Sequence, residues 1–226
     1  MVSEKHDEGR PRRFHTDTFE KTTADRRDAL LSVAIELFAA KGFSATSVNE
    51  IARKAGISIG GLYSYFPTKD DLFLTVIERG RSLLEEALGD IDTDAPFFES
   101  FGLLIRRARD YARANPELNR IYLDATTQGL RHLSSRLSGR LETITADLYR
   151  GALTSAMARG EVRPDIDVGA AAFCVDNILV LFQFSFASDY YRDRLHIFLG
   201  VPIGASLNED ALITAVTDFV RHALSA

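Results

Sequence analysis

Apolar side chains recur along this chain at spacings of three and four, the period of an α-helix, and almost nowhere alternate as a strand requires. Leu30, Val33, Ala34, Leu37 and Phe38 form the first such stripe. It predicts a helix from a cap at Thr22 or Thr23 to about Ala40, ended by Lys41-Gly42. A shorter helix follows, capped by Thr46 or Ser47, with Glu50 in capping-box spacing to Ser47 and an apolar face of Ile51, Ala52 and Ala55. Gly56 breaks it. Ser58 caps the next run, whose apolar face is Ile57, Leu62 and Phe66, and Pro67 closes that run after about Tyr65. Thr68 then caps a long helix through Leu72, Val76 and Ile77 towards Leu88. Beyond an acidic, turn-like stretch at 90–94, the pattern predicts helices over about 95–115, 116–129, 133–159, 168–198 and 208–224. The last of these carries Leu212, Ile213, Val216, Phe219 and Val220 as one stripe. An all-α protein is expected.

The run from Val168 to Ala187 is apolar on nearly every side, so it should be buried on every side, centrally or against a second subunit. It carries Asp176, Asn177 and Gln183, and an Asp at mid-bilayer costs on the order of 2–3 kcal/mol, so it reads as a core helix rather than a membrane span. No apolar leader follows Met1, and a cytoplasmic location is expected. The single Cys174 rules out an intrachain disulfide and is expected as a small core residue. Residues 1–21 are polar and aperiodic and read as a flexible tail, though Arg10-Pro11-Arg12-Arg13 also has the make-up of a basic arm for a minor groove. With 226 residues the chain has room for one to two domains, and 46% hydrophobic with 26% charged residues is ordinary for a globular protein. The net charge of −5 is unevenly spread: residues 1–75 hold eleven basic and eleven acidic side chains, so the acidic excess lies beyond them. That distribution is compatible with nucleic-acid binding at one end only. The expected divisions are the tail 1–21, a three-helix domain 22–75 and a helical region 76–226.

Two short helices meeting at a glycine form a helix-turn-helix, whose second helix enters a DNA groove. Gly56 can adopt positive φ without strain, and small Ala52 lets the second helix cross closely over the first. If Leu62 and Phe66 point inward, Ser58, Ile59, Gly60, Gly61, Tyr63 and Ser64 point outward or towards the groove. Two glycines inside a helix cost about 1 kcal/mol each relative to alanine. Either close approach to DNA compensates, or the short helix tolerates them. Tyr63 and Tyr65 can reach phosphates or thymine methyls, or can be plain structural tyrosines. Thr46 and Ser47, at a helix N-terminus, suit a phosphate. Arg53 and Lys54 read either as phosphate contacts or as a solvated face. Lys69, in the first turn of the fourth helix, runs against the helix dipole.

The succession LFAAKGFSATSV, NEIARKAGIS and IGGLYSYFPTKDDL, over about Asp28 to Leu74, resembles the DNA-binding domain of TetR-type transcriptional regulators. The resemblance implies that Lys69 reaches a DNA phosphate, and it favours Tyr63 and Tyr65 as contacts. Many family members carry Lys, Pro or another long or rigid residue where Ile59 stands. An isoleucine there suggests a thymine methyl contact or simply one polar contact fewer. The resemblance further implies that the second region dimerises and encloses a small molecule, whose binding changes the separation of the two recognition helices and weakens operator affinity. Its candidate ligand-binding residues are Phe101, Arg107, Tyr111, Tyr122, Phe173, Asn177 and Phe184, and their interleaved aromatics argue for an apolar or aromatic effector. Phe182, Gln183, Phe186 and the last helix are candidates for a four-helix dimer interface. An enzyme is not expected: the five histidines are scattered, and no phosphate loop, serine elbow or metal-ligand spacing occurs. No cofactor or metal is expected. The expected function is a ligand-responsive transcriptional regulator, a repressor, binding a palindromic double-stranded DNA operator as a homodimer. The alternative is a helical protein-interaction module that has lost DNA binding.

Overall fold

The computed structural model describes residues 13–88, 95–127 and 131–226. Among them the chain forms eleven α-helices, with one isolated bridge between Val162 and Ser225. The first helices are α1 (Asp17–Glu20), α2 (Ala24–Ala45), α3 (Val48–Lys54), α4 (Ile59–Tyr65) and α5 (Lys69–Leu88). They are followed by α6 (Phe97–Ala114), α7 (Pro116–Thr127), α8 (Arg131–Ala158), α9 (Val168–Phe184), α10 (Asp189–Leu199) and α11 (Glu209–Leu224). The chain divides into two compact units, Met1–Glu78 and Arg79–Ala226, and α5 runs across the boundary.

In the first unit the predicted stops hold for the predicted reasons. Gly42 has φ 73° and interrupts α2, leaving one further turn to Ala45. Leu30, Ala34, Leu37 and Phe38 are buried as one stripe. The Phe38 and Phe43 rings both meet Phe73 of α5 edge-on, with centroids 5.0 and 4.9 Å away. The expected tail is corrected. Phe14 and Phe19 are buried, and α1 packs its Phe19 ring 4.7 Å from Phe66. One helical turn is too short to show a period, so only tertiary packing reveals this segment's order. Residues 1–12 of the tail, with Arg10, Pro11 and Arg12, lie outside the described residues.

The second unit has its core where α6, α8, α9 and α11 meet. Phe97, Phe101, Leu104, Ile105 and Ala108 form the α6 stripe, facing Leu153 of α8, Val175 and Leu179 of α9, and Ile213 and Val220 of α11. The single helix expected over 168–198 is two helices bent by 108°. No proline or glycine marks the break. The chain turns on short bonds, from Ser185 N–H to Phe182 O and from Ala187 N–H to Phe184 O, and Ser188 opens α10 with Asp189 and Arg192 paired in its first turn. The bend leaves no single helix among the described residues long and apolar enough to cross a membrane.

Of the two alternatives for α9, one chain alone does not bury it on all sides. Ala171, Ala172, Val175 and Leu179 face inward, while Phe173 is 70% exposed, and Leu181 and Cys174 are open to solvent. Cys174 is thus not a core residue. Phe182 and Gln183, expected at a subunit interface, are buried in their own unit, and in α11 Phe219 leaves the inward stripe at 67% exposure. Asp176 is half-buried, and its charge adds to burial in pushing the Tyr149 hydroxyl's pKa upward.

His196, near the end of α10, is buried with both ring nitrogens facing carbonyls, Nδ1 2.8 Å from Arg192 O and Nε2 2.9 Å from Ala205 O. A neutral imidazole has one N–H, so only the imidazolium can donate to both. The Arg192 carbonyl, then that of Ala205, raises the pKa; Asp193 adds to the effect and the Arg192 charge opposes it. A raised folded-state pKa means that this stabilisation is complete below the ordinary histidine value and is lost as pH rises through the folded one. The His196 ring is therefore expected to titrate above about 6.5 by NMR. Unfolding of the wild type, but not of His196→Gln, should become easier across that titration. A His196 midpoint at or below the ordinary value would contradict the two-carbonyl clamp.

Candidate functional site

The turn between α3 and α4 closes entirely on local chemistry. Gly56 has φ 67° and its N–H bonds Arg53 O at 3.2 Å, while Ile57 N–H reaches Ala52 O at 3.0 Å. These two bonds are a Schellman closure, and they satisfy carbonyls that the end of α3 leaves without partners. Ser58 then caps α4, its Oγ accepting from Gly61 N–H at 3.0 Å. Leu62 and Phe66 are buried, which turns Ile59, Gly60, Tyr63 and Ser64 outward. Ile59 and Tyr63 are 44% and 46% exposed, large for side chains of their kind.

The glycine pair divides into two cases. A Cβ on Gly61 would sit 3.2 Å from the Ser58 Oγ that caps the helix, so the cap itself favours a small residue there. A Cβ on Gly60 would meet nothing within 4 Å. Nothing among the described residues explains that glycine.

Other expected contacts are redistributed. Thr46 is buried, and its hydroxyl donates to Gly42 O at 2.7 Å and lies 3.1 Å from Leu37 O, so its side chain closes α2 rather than facing a phosphate. Ser47 is the exposed N-cap residue of α3 but makes no side-chain cap bond. Glu50, expected to complete a capping box, instead pairs with Lys41 at 2.6 Å, and that hydrogen bond holds its carboxyl below the usual range. Tyr65 is half-buried, its ring 5.5 Å from Phe19. Lys54 pairs with Glu36 at 3.0 Å. The Lys69 ammonium lies 4.5 Å above the Phe43 ring and 3.3 Å from Ser44 O, and partial burial lowers its pKa. These contacts supply, inside the protein, the compensation for a cation placed against the helix dipole.

In the second unit the expected ligand residues separate into groups. Phe101 is core, its ring stacked 6.4 Å from Phe97. Tyr111 donates to Gly80 O at 2.9 Å, and burial pushes its pKa up to about 12. Arg107 is half-buried. Phe173 points to solvent, which corrects its place inside a pocket of one chain, and the half-buried Asn177 donates to the Phe173 carbonyl of its own helix at 2.7 Å. Tyr122 and Phe184 do come together across α7 and α9 at 6.0 Å, and Tyr191 of α10 joins Phe184 at 5.5 Å. Beside them sequence reasoning missed a buried amide pair: Gln183 donates to Asn119, which in turn donates to Asn115 O at 2.9 Å. The available signal was Gln183 inside an apolar helix, since buried polar groups are hydrogen-bonded. Among the described residues, no group of three His, Cys, Asp or Glu side chains could hold a metal ion.

Residues 30–76 match the family model of the bacterial regulatory proteins, tetR family. The HTH-type transcriptional repressor KstR2 of Rhodococcus jostii is 28% identical over 150 residues, 65% of this chain and 72% of that protein. Two further curated relatives, both of Bacillus subtilis, are spanned over 49% and 73% of their length. Among solved structures, the ketosteroid transcriptional regulator KstR2 of Mycobacterium tuberculosis shares the fold with a TM-score of 0.63 at 20% identity, over 91% of this chain and 97% of that one. The transcriptional regulator FadR of Bacillus subtilis, in complex with stearoyl-CoA, does so with a TM-score of 0.68 at 20% identity, over 85% and 96%. The helix-turn-helix at Val48–Tyr65 is the part of the molecule on which the sequence match and the local geometry coincide, and residues 30–76 belong to the tetR family of bacterial regulatory proteins.

Proposed function

We propose that the protein is a ligand-responsive transcriptional repressor, a homodimer that holds a palindromic duplex through α4 and releases it when a largely apolar effector binds the second unit. In this reading residues 22–75 bind DNA, and residues 76–226 dimerise and take the effector. The observation that carries it is the outward face of α4, with Ile59, Gly60 and Tyr63 exposed above buried Leu62 and Phe66. The open space at Gly60 supports a close approach by something outside the chain. Ser47, Ser58, Gly61 and Lys69 surround this face as further contact candidates, with the Gly61 N–H already given to the Ser58 cap. Tyr65 acts through its packing.

Dimerisation is supported by the apolar side chains that one chain leaves in water on α9 and α11, Phe173, Leu181 and Phe219. For the effector, a ketosteroid regulator and a regulator bound to stearoyl-CoA stand among the structural neighbours, and both ligand classes have a large apolar body. Tyr122, Phe184 and Tyr191 offer this chain an aromatic surface, with the Asn119–Gln183 amides as a polar anchor beside it.

Gly60→Ala gives the sharpest test of the DNA face. Alanine should stabilise α4 by about 0.5–1 kcal/mol in thermal or denaturant unfolding. It should also weaken binding to a palindromic duplex selected by the wild type from a random pool. A more stable variant with unchanged affinity would remove the close-approach argument. Tyr63→Ala should weaken the same duplex at least tenfold, and Lys69→Ala should lower the salt slope of binding by about 0.9 for each phosphate that is no longer neutralised. Unchanged affinity and slope in both variants would sink the assignment of these residues to the DNA face. In a panel of fatty acyl-CoAs and steroids, at least one compound is expected both to raise the melting temperature and to release the duplex. Binding with no effect on the duplex would refute repression relieved by such a ligand.

A further inference from the structure

The C-terminal end of α4 lacks the means to close itself. Where α3 ends on Gly56 and Ile57, α4 ends on Phe66 in an extended conformation (φ −129°, ψ 106°) and then on Pro67, which has no N–H to give back. The last carbonyls, of Ser64 and Tyr65, are satisfied from elsewhere in the sequence. Thr16 donates its N–H to Tyr65 O at 2.9 Å and its hydroxyl to Ser64 O at 2.7 Å. The donor is held in place on both sides. Phe19 packs its ring against Phe66 and Tyr65, and Arg27 of α2 donates to Glu20 O at 2.7 Å and Thr22 O at 2.8 Å. Phe14 is buried just before. All of these donors precede residue 30, where the match to the family model begins.

We propose that residues 14–20 form a cap, supplied by a distant segment of the same chain, for the recognition helix, so that DNA affinity depends on a positioning segment, with Thr16 and Phe19 at its centre, lying outside the helix-turn-helix itself. The proposal rests on the DNA-binding reading above. A seven-residue helix holding two glycines is marginal alone, and a chain whose α4 is ordered only part of the time binds with its affinity reduced by that fraction. Thr16 and Phe19 therefore act through α4, not by touching DNA.

The test uses the full chain with Thr16→Val, which keeps shape and backbone N–H but loses the hydroxyl donor, with Phe19→Ala, and with Thr16→Ser as the rescue. Duplex affinity is measured across salt concentrations alongside amide exchange of Leu62 and Phe66. Thr16→Val should bind more weakly, by up to about fivefold per half-site for the loss of one hydrogen bond, with faster exchange in α4, an unchanged salt slope and normal exchange in the second unit. Phe19→Ala should lose more, and Thr16→Ser should bind as the wild type. Wild-type affinity in Thr16→Val and Phe19→Ala would overturn the proposal. So would weaker binding with a reduced salt slope and unchanged α4 exchange, which would mean a direct phosphate contact. Failure of the wild type itself to bind any duplex would instead overturn the DNA-binding reading, and unchanged α4 exchange in both variants would then overturn the cap independently.

Discussion

A helix of seven residues with two adjacent glycines does not hold its shape in water unaided, and the first unit is built around that constraint. Its N-terminus is fixed by the Schellman turn at Gly56 and by the Ser58 cap, both within six residues of it. Its underside is fixed by Leu62 and Phe66, both buried, with the Phe66 ring packed against Phe19 of α1. Its far end is tied by Thr16. The outward face is thereby kept nearly bare, since each of these supports approaches from within or from the ends. A surface that must lie close to another molecule can be thin only if it is held from behind.

The second unit works under the opposite condition. Its helices are long and its core is large and continuous, and what distinguishes it is where it leaves polar groups inside. The Asn119–Gln183 amides, the Tyr111 hydroxyl on Gly80 O and the doubly bonded His196 ring each sit at a junction of two segments rather than within one. Buried polar bonds of this kind contribute little net stability but penalise any rearrangement that leaves one partner unpaired. They favour discrete alternatives over gradual deformation, which under the proposed reading suits a unit that responds to a bound molecule.

Legibility in the sequence followed the range of the interaction. The Gly42 interruption, the Gly56 turn, the Ser58 cap and the Pro67 stop were readable because each rests on a backbone need and a side chain within a few residues. The inward pair Leu62 and Phe66 followed from spacing alone. Thr46 was misread because a hydroxyl at a helix start looks available until the preceding helix is found to claim it. The break between α9 and α10 was invisible, as neither proline nor glycine marks it and the apolar run continues through it. The ordered segment at 14–20 escaped for a related reason: two phenylalanines and a threonine in a polar stretch have no period, and their partners lie almost fifty residues away.

Under the proposed reading, the composition of the exposed face limits how it can recognise DNA. Ile59 and Gly60 carry no side-chain donor or acceptor, and Ser58 and Ser64 already bond within α4, leaving the Tyr63 hydroxyl as its long-reaching polar group. Bidentate pairing to a guanine or adenine edge, the strongest form of direct readout, requires Arg, Lys, Asn or Gln, and α4 has none. Discrimination must then come from thymine methyls against Ile59, from how closely the backbone at Gly60 can approach, and from the shape of the duplex. Such terms are individually small. They become selective when two copies are read at a fixed separation, because the second half-site multiplies the first and the spacing excludes most sequences that satisfy either one. A bare recognition helix therefore makes the subunit interface part of the specificity, and it gives any effector that changes the spacing a direct hold on binding.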